Sequence, residues 1–399
     1  MAQSSVETYP VMSLAEHFGR VTDPRMEERI EHRLLDIMVT AICGVICGAD
    51  SWVEIEEFGK AKQEWLKGFL DLPNGIPSHD TFGRVFACLS AFQFQACFMS
   101  WIEEVLRATE GQVVAIDGKR VRRSYDRGSN KAAIHMVSAW ACANRVVLGQ
   151  VKTEEKSNAI PAIPELLKLL ELKGCIVTID AMGCQKEIAE RIIDQGGDYV
   201  LALKGNQGQL HEDVVQFFEY AQAKDFKGVP HSFHETLDAD HGRIEIRRYW
   251  TVDRLDWLED KAQWKGLNLI GMVESERDTG EKVTVERRYY ISSLDKQAAC
   301  FAQAVRGHWG IENSLHWSLD VTFKEDACRI RQGQAAENFA VLRHMALSLL
   351  QQEKTTKVGL KAKRFKAALD TQYLTKVLIG NYTSHGQRLN FFEGLKVER

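Results

Sequence analysis

The chain is poor in the features that commit a sequence to a special environment. Its 399 residues hold only 7 prolines, with no low-complexity tract and no internal repeat, which excludes fibrous and solenoid architectures and a mostly disordered chain. Neither charge sign dominates: 51 Lys and Arg stand against 55 Asp and Glu, a formal net charge of −4. Affinity for a polyanion must therefore reside in local patches and not in the overall field. The nine cysteines, at 43, 47, 88, 97, 142, 175, 184, 300 and 328, form no CxxC pair, which excludes a disulfide scaffold and fits reduced thiols in a cytoplasmic protein. The closest two, Cys43 and Cys47, make a lone CxxxC, too little for a zinc site. The longest greasy stretch, 37–49, is interrupted by Gly44 and Gly48 and is too short to cross a bilayer. A buried helix is expected there, and no membrane partner. The opening MAQSSVETYP lacks the basic-then-apolar build of a signal peptide.

What is present is ordinary globular material, 45% hydrophobic and 27% charged. At 45.3 kDa the chain exceeds what one core usually holds, so two or three domains are expected. Residues 1–105 read as helical. Positions 30, 34, 37, 38, 41, 42, 45 and 46 are apolar at a spacing near 3.6. A second helix is expected at 54–70, and Ser78 is placed to cap a third. Two helices joined by the Pro/Gly turn at 71–77 fit either a DNA-reading helix-turn-helix or a plain helical packing domain. From about 106 the pattern changes to short apolar runs at 113–116, 175–179 and 199–203, a hairpin at 134–151, and helices at 160–172 and 185–195. Buried runs alternating with helices predict an α/β sheet covered on both faces. Between about 205 and 290 a helix is followed by antiparallel strands at 244–252, 267–273 and 283–292, a β-rich insertion. Residues 297–350 return to helix. The remainder, 351–399, carries ten Lys and Arg against four Asp and Glu and reads as a basic C-terminal region.

Two of the apolar runs end in aspartate, Asp117 and Asp180. In an α/β sheet the carboxyl ends of neighbouring strands open onto one crevice where ligands bind. Carboxylates placed there repel unless protonated or bridged by cations, and Mg²⁺, with its preference for hard oxygen and substrate phosphate, suits them. Taken singly, either residue is equally well a turn or helix cap; two in matched settings favour a site. Far downstream, 305–320 reads as a helix on which His308, Glu312, His316 and Asp320 recur every four residues and share a face. Glu312 is the candidate third carboxylate, against the plain alternative of an exposed polar face. Shared zinc at His308 and His316 does not fit, since eight residues separate them by about 12 Å along the axis. Directly after Asp117 come Lys119, Arg120, Arg122, Arg123, Arg127 and Lys131, opposed only by Asp126. Alone such a run is a solvated face; beside a carboxylate cluster it would hold a phosphate backbone. Arg329, Arg331, Lys204, Asn206 and Gln207 are further candidates for that contact.

Four segments carry a resemblance: Ile116-Asp-Gly-Lys-Arg-Val-Arg-Arg-Ser124, Asp180-Ala-Met-Gly-Cys-Gln185, Tyr199-Val-Leu-Ala-Leu-Lys-Gly-Asn-Gln207 and His308-Trp-Gly-Ile-Glu-Asn-Ser-Leu-His-Trp317. Together they resemble the DDE transposases of bacterial insertion sequences, most closely the H-repeat-associated group, over most of the chain. The resemblance implies an RNase H-like catalytic core over 106–350, interrupted by a β-rich insertion and preceded by a helical N-terminal domain. It implies a triad of Asp117, Asp180 and Glu312 holding two Mg²⁺, with Mn²⁺ able to substitute. The implied partners are double-stranded DNA, at element ends and target, and further copies of the chain in a homo-oligomer on that DNA. The implied activity is metal-dependent strand cleavage and strand transfer; the alternatives are a nuclease without transfer and an inactive DNA-binding relic. Related enzymes carry the third acid in a Tyr-x2-Arg-x3-Glu-x6-Lys signature. Here Val305, His308 and Leu319 stand at the Tyr, Arg and Lys positions, leaving His308, Arg306 or Lys324 to contact phosphate. Trp250, Trp257 and Trp264, in or near the insertion, are candidates for stacking a flipped base.

Overall fold

In the computed structural model of the chain, the described residues are 14–105, 112–121, 124, 134–143, 145–153, 160–240 and 243–379. The expected cations Arg122, Arg123, Arg127 and Lys131 lie outside them. The first part is helical: Leu14–Phe18 (α1), Leu34–Ile46 (α2), Trp52–Ala61 (α3), Gln63–Leu66 (α4), His79–Cys88 (α5) and Ala91–Val105 (α6). Ser78 caps α5 as its sequence context predicts, its hydroxyl accepting from the Thr81 N–H at 3.3 Å. Among the described residues no single helix is long and apolar enough to cross a membrane.

Strands Val113–Arg120 (β1), His135–Ala141 (β2) and Val146–Thr153 (β3) come next, then Ala162–Lys168 (α7), Ile176–Ile179 (β4), Lys186–Asp194 (α8), Asp198–Leu203 (β5) and Gln209–Ala223 (α9). The expected insertion supplies Ser232–Asp240 (β6), Arg243–Val252 (β7), Leu269–Asp278 (β8) and Val283–Ser292 (β9). All nine strands form one sheet in the order β3-β2-β1-β4-β5-β9-β8-β7-β6. Strands β1, β4 and β5 run parallel, whereas β9 joins β5 antiparallel, Val200 opposite Ser292. The insertion is thus hydrogen-bonded into the sheet and covers what would otherwise be a bare edge at β5. Strand β6 had no sequence signal. Its few apolar residues, Phe233 and Leu237, are exposed, and it exists because β7 offers it a partner along nine residue pairs.

Both faces of the sheet are covered. Val114, Ile116, Val177, Ile179 and Leu201 pack with α7, α8 and α9. On the other face, Ile176, Val200 and Tyr249 meet Phe301 of a helix over Ala298–Gly310 (α10). That helix continues through a π-helical turn, Ile311–His316, into Trp317–Val321 (α11). The long helix Ala335–Gln352 (α12) is buried along most of its length. It shares one apolar core with α2, α5 and α6, in which Ile37, Phe82, Phe98 and Leu342 are fully buried. Full burial of α2 accounts for the greasy stretch at 37–49.

The basic C-terminal segment begins with Leu360–Leu369 (α13) and Thr371–Ile379 (α14), and two of its cations face inward. The Lys363 amine donates to the backbone carbonyls of Leu350 and Glu353. The Arg364 guanidinium donates to the Val45 carbonyl at 2.9 Å and to Asp50 at 3.1 Å, reaches the Thr322 carbonyl and lies 4.2 Å over the Phe323 ring. One side chain therefore ties α13 to the end of α2 and the end of α11. Removing one partner of a buried, hydrogen-bonded pair leaves the other charge uncompensated. Arg364→Ala is expected to lower the denaturant-unfolding free energy by ~3 kcal/mol, whereas Lys361→Ala, at an exposed position, changes it by less than ~0.5 kcal/mol.

Candidate active site

Parallel pairing sets the first two acids side by side. Ile116 on β1 lies opposite Ile179 on β4, so the next residues, Asp117 and Asp180, leave adjacent strands at the same level, about 5 Å apart in backbone spacing. Asp180 does cap a turn: its carboxylate accepts from the N–H groups of Met182 and Gly183 at 3.2 and 3.3 Å through one oxygen, Oδ1. Glycine is required at 183, where a Cβ would come within 2.3 Å of the Ile179 side chain. Asp117 Oδ1 accepts from the Gly118 N–H at 2.8 Å, and its Oδ2 lies 3.5 Å from His316 Nδ1. Burial pushes the Asp117 carboxyl up to about 7, and the charges of Asp180 and Glu312 push in the same direction against the Gly118 hydrogen bond. Glu312, 195 residues downstream of Asp117 in number (312 − 117), thus stands within electrostatic reach of it.

Glu312 comes from the π-helical turn. Such a turn widens the helix by one residue and is frequent at functional sites. Around it the expected polar face does meet the strands. His308 Nδ1 lies 3.2 Å from the Thr178 hydroxyl on β4, and burial holds its pKa below the usual histidine value. His316 faces Asp117, and burial, assisted by the Lys119 charge, pushes it down to about 4. Asp320 accepts from the Lys119 amine at 2.5 Å. The two histidines therefore serve different strands, His308 meeting β4 and His316 meeting β1. Three neighbouring carboxylates are the hard-oxygen donor set that Mg²⁺ or Mn²⁺ takes, and their mutual repulsion is what a cation would relieve. Among the described residues no group of three His, Cys, Asp or Glu side chains is already gathered at metal-binding distance.

The candidate DNA contacts divide into several groups. Arg120, Lys204 and Arg329 are exposed. Lys119 is not free for phosphate: besides Asp320, its amine donates to Glu325 at 2.8 Å. Glu325 is itself buried and faces Arg343 at 3.9 Å. The Asn206 amide donates to the Ala181 carbonyl at 2.8 Å and Gln207 to that of Cys184 at 2.5 Å, stitching the loop after β5 to the loop after Asp180. Arg329 and Arg331 line a separate groove with Ser51 and His79 at the starts of α3 and α5 and with Arg84 farther along α5, a groove that none of the three acids lines. Arg122 and Arg123 lie outside the described residues. Lys324 faces Asp50 at 3.3 Å. Of the three tryptophans, Trp250 and Trp264 are buried. Trp257 is exposed, but its ring is stacked on Phe217 at 4.8 Å.

Sequence reasoning missed the groove that ends at Glu312. A cavity of about 570 Å³ runs from that residue across the faces of β7, β8 and β9, lined by Arg247, Arg277, Arg288, Arg306 and Trp309 among others. The Arg288 guanidinium lies 4.2 Å over the Trp309 ring, and Arg306 meets Asp238 at 3.2 Å. Alternation along β7, β8 and β9 puts Arg247, Arg277 and Arg288 on one face, and α10 adds Arg306, a signal present in the sequence only if the strand pairing is known.

Comparison with known proteins follows this geometry. Residues 108–349 match the family described as "Transposase DDE domain", and residues 15–102 match the associated family, "DDE_Tnp_1-associated". The "H repeat-associated putative transposase YhhI" of Escherichia coli K12 is 45% identical over 92% of this chain and 98% of its own length. The "Putative transposase YncI" of Escherichia coli O157:H7 is 46% identical over 92% of this chain and 95% of its own. A solved piggyBac transposase synaptic complex with hairpin DNA covers 94% of this chain and 80% of its own at 12% identity and a TM-score of 0.38, below the level that argues for a common fold.

The raised Asp117 value has a sign that can be measured. Its carboxyl titrates higher folded, at about 7, than its ordinary value of 3.8. The neutral acid is favoured in the folded state, so its contribution to stability is present below pH 4 and lost as pH rises through 7. Asp117→Asn keeps the shape and removes the charge. In cation-free buffer it is expected to stabilise the protein by ~2–4 kcal/mol at pH 8 and by well under ~1 kcal/mol at pH 4, read by denaturant unfolding at both values.

Proposed function

The chain belongs to the DDE transposase family, and from that premise we propose that it cuts and rejoins DNA at the ends of a mobile element, using Asp117, Asp180 and Glu312 as its catalytic acids. The observation that carries this reading is the placement of Asp117 and Asp180 at one level of adjacent parallel strands, with Glu312 of a distant π-turn near enough that its charge, like that of Asp180, adds to the rise that burial gives Asp117. Asp117 is pushed up by burial beside two further acids, and a carboxyl perturbed in this way at a cleft is a mark of functional sites. The strand order β3-β2-β1-β4-β5, with β1, β4 and β5 parallel, supports an RNase H-like core. Strands β6 to β9 then form the insertion that precedes the third acid. We assign residues 106–350 to this catalytic part.

The three acids would hold a pair of divalent cations, Mg²⁺ or Mn²⁺, which when bound supply positive charge against the phosphate and ease deprotonation of the attacking hydroxyl. The chain's own residues set the stage for that chemistry. Backbone N–H groups of Gly118, Met182 and Gly183 fix one oxygen of each aspartate, and His316 stands 3.5 Å from the other oxygen of Asp117. The His308–Thr178 contact pins the helix that carries Glu312 to β4. Lys119, in place of binding DNA, fastens α11 to β1 through Asp320 and Glu325. Arg247, Arg288 and Arg306 line the approach to Glu312, paired there with Asp238, Glu245 and Glu286, and would exchange these partners for a phosphate backbone, with exposed Arg120 and Lys204 at the strand ends. Water as nucleophile gives a nick, and a DNA 3′-hydroxyl gives strand joining, with the same acids in use.

Asp117→Asn, Asp180→Asn and Glu312→Gln are each expected to cut Mg²⁺-dependent nicking of element-end DNA by ~100-fold or more while end binding stays within a few-fold. Retained nicking in any one removes that residue from the triad. Supplying a pre-cut end separates a transposase, which yields joined product, from a nuclease, which does not. Binding without cleavage in either Mg²⁺ or Mn²⁺ identifies an inactive DNA-binding form. Arg288→Ala and Arg306→Ala are each expected to weaken DNA binding ~3- to 10-fold regardless of sequence and to reduce the slope of log K against log salt by ~1. A groove that never meets DNA leaves both affinity and slope unchanged.

A further inference from the structure

The π-helical turn that supplies Glu312 ends at His316, four residues on and so on the same side of the helix. His316 Nδ1 lies 3.5 Å from Asp117 Oδ2, and the two side chains are 14% and 18% exposed, so the pair borders the crevice and is not sealed beneath it. Of the two ring nitrogens it is Nε2 that is buried. Asp117 Oδ1 already takes the Gly118 N–H, which leaves Oδ2 as the oxygen that meets the ring. The separation is longer than the about 2.7–3.2 Å of an N–H···O hydrogen bond. It is close to the spacing of two donors on one ion, since ligands about 2.1 Å from a divalent cation stand about 3.0–3.4 Å apart at angles from square to tetrahedral.

The surroundings fit that use. The Lys119 charge that acts on His316 is offset by Asp320 and Glu325 and is not a free charge set against an incoming cation. Ligation through Nδ1 puts the ring proton on Nε2. His344 of α12, whose own Nδ1 is buried without a partner, is electrostatically coupled to His316 and belongs to the same buried cluster behind the ring. We propose that His316 Nδ1 is a metal ligand beside Asp117 Oδ2, giving one cation position a nitrogen donor and a preference for Mn²⁺ or another transition-metal cation over Mg²⁺. This inference rests on the assignment of Asp117 to the metal-holding acids. Its chemical basis is that Mg²⁺ takes hard oxygen donors, whereas imidazole favours the transition metals.

The test uses the full-length protein in Mg²⁺-free buffer, with Mn²⁺ as the probe. Pulsed electron paramagnetic resonance of the bound ion reads directly whether nitrogen is in its coordination shell. A nitrogen coupling is expected, converted to the ¹⁵N pattern in protein grown on ¹⁵N-labelled histidine and lost in His316→Leu. By calorimetric titration His316→Leu is expected to weaken Mn²⁺ binding ~10-fold or more, with a much smaller effect on Mg²⁺. His316→Asn, which offers an amide oxygen near the place of Nδ1, is expected to recover binding without the nitrogen coupling and without the preference for Mn²⁺. Should the leucine variant fail to fold, the asparagine variant and the labelled parent supply the same comparison. Mn²⁺ whose binding depends on Asp117 but shows no histidine nitrogen overturns the proposal and leaves the three acids in place, as does a coupling that survives both substitutions. Failure of the protein to bind Mn²⁺ at all overturns the triad along with it.

Discussion

The crevice depends on one constraint, an aspartate withdrawn from water at a strand end with two more carboxylates near it. Parallel register between β1 and β4 brings the backbones of Asp117 and Asp180 to within one strand spacing, and the helix packed across the strand ends adds Glu312. Withdrawn from water, Asp117 is driven up to about 7. The neighbouring interactions fix the elements that carry the three acids. Backbone N–H groups hold one oxygen of each aspartate, Asn206 and Gln207 lash two strand-end loops together, and the Lys119–Asp320–Glu325 network anchors the helix to the very strand that carries Asp117.

That network revises how the basic strip after Asp117 is understood. A lysine two residues past a catalytic-type aspartate reads naturally as a phosphate contact, because in sequence it heads a run of cations. In the folded chain it lies on the same side of β1 as Asp117, since strand side chains alternate with a period of two, and this turns it inward toward α11. Its partner Glu325 is buried and shares its charge compensation between Lys119 at 2.8 Å and Arg343 at 3.9 Å. The same inversion occurs in the C-terminal segment, where Arg364 binds backbone carbonyls of two separate helices instead of solvent. Cations adjacent in sequence are thus divided by geometry into structural and surface groups, and the surface group that leads to Glu312 is drawn largely from β7, β9 and α10.

A substantial part of the fold was legible beforehand, for reasons that are local. The apolar runs before Asp117, before Asp180 and at 199–203 are strands because β-branched and aliphatic residues buried on both faces have little alternative. The hairpin at 134–151 and the cap at Ser78 depend on near neighbours only. The π-turn at 311–316 was not legible, since its extra residue is decided by where Glu312, His316 and Asp320 must meet β1. Strand β6 was invisible because its side chains are largely exposed and its existence depends on β7. Nor could any local pattern show that β9 would pair with β5 and merge the insertion into one sheet.

The amino-acid order by itself determined which residue types stand at the strand ends, the alternation of strands with helices, and the family to which the chain belongs, because these depend on identity and short spacing. Tertiary structure alone decided which of the many charges converge. Coulombic coupling, burial and hydrogen bonding act through space at a few ångströms, and only the sheet register and the bulged helix bring Glu312 near Asp117 and turn Lys119 inward.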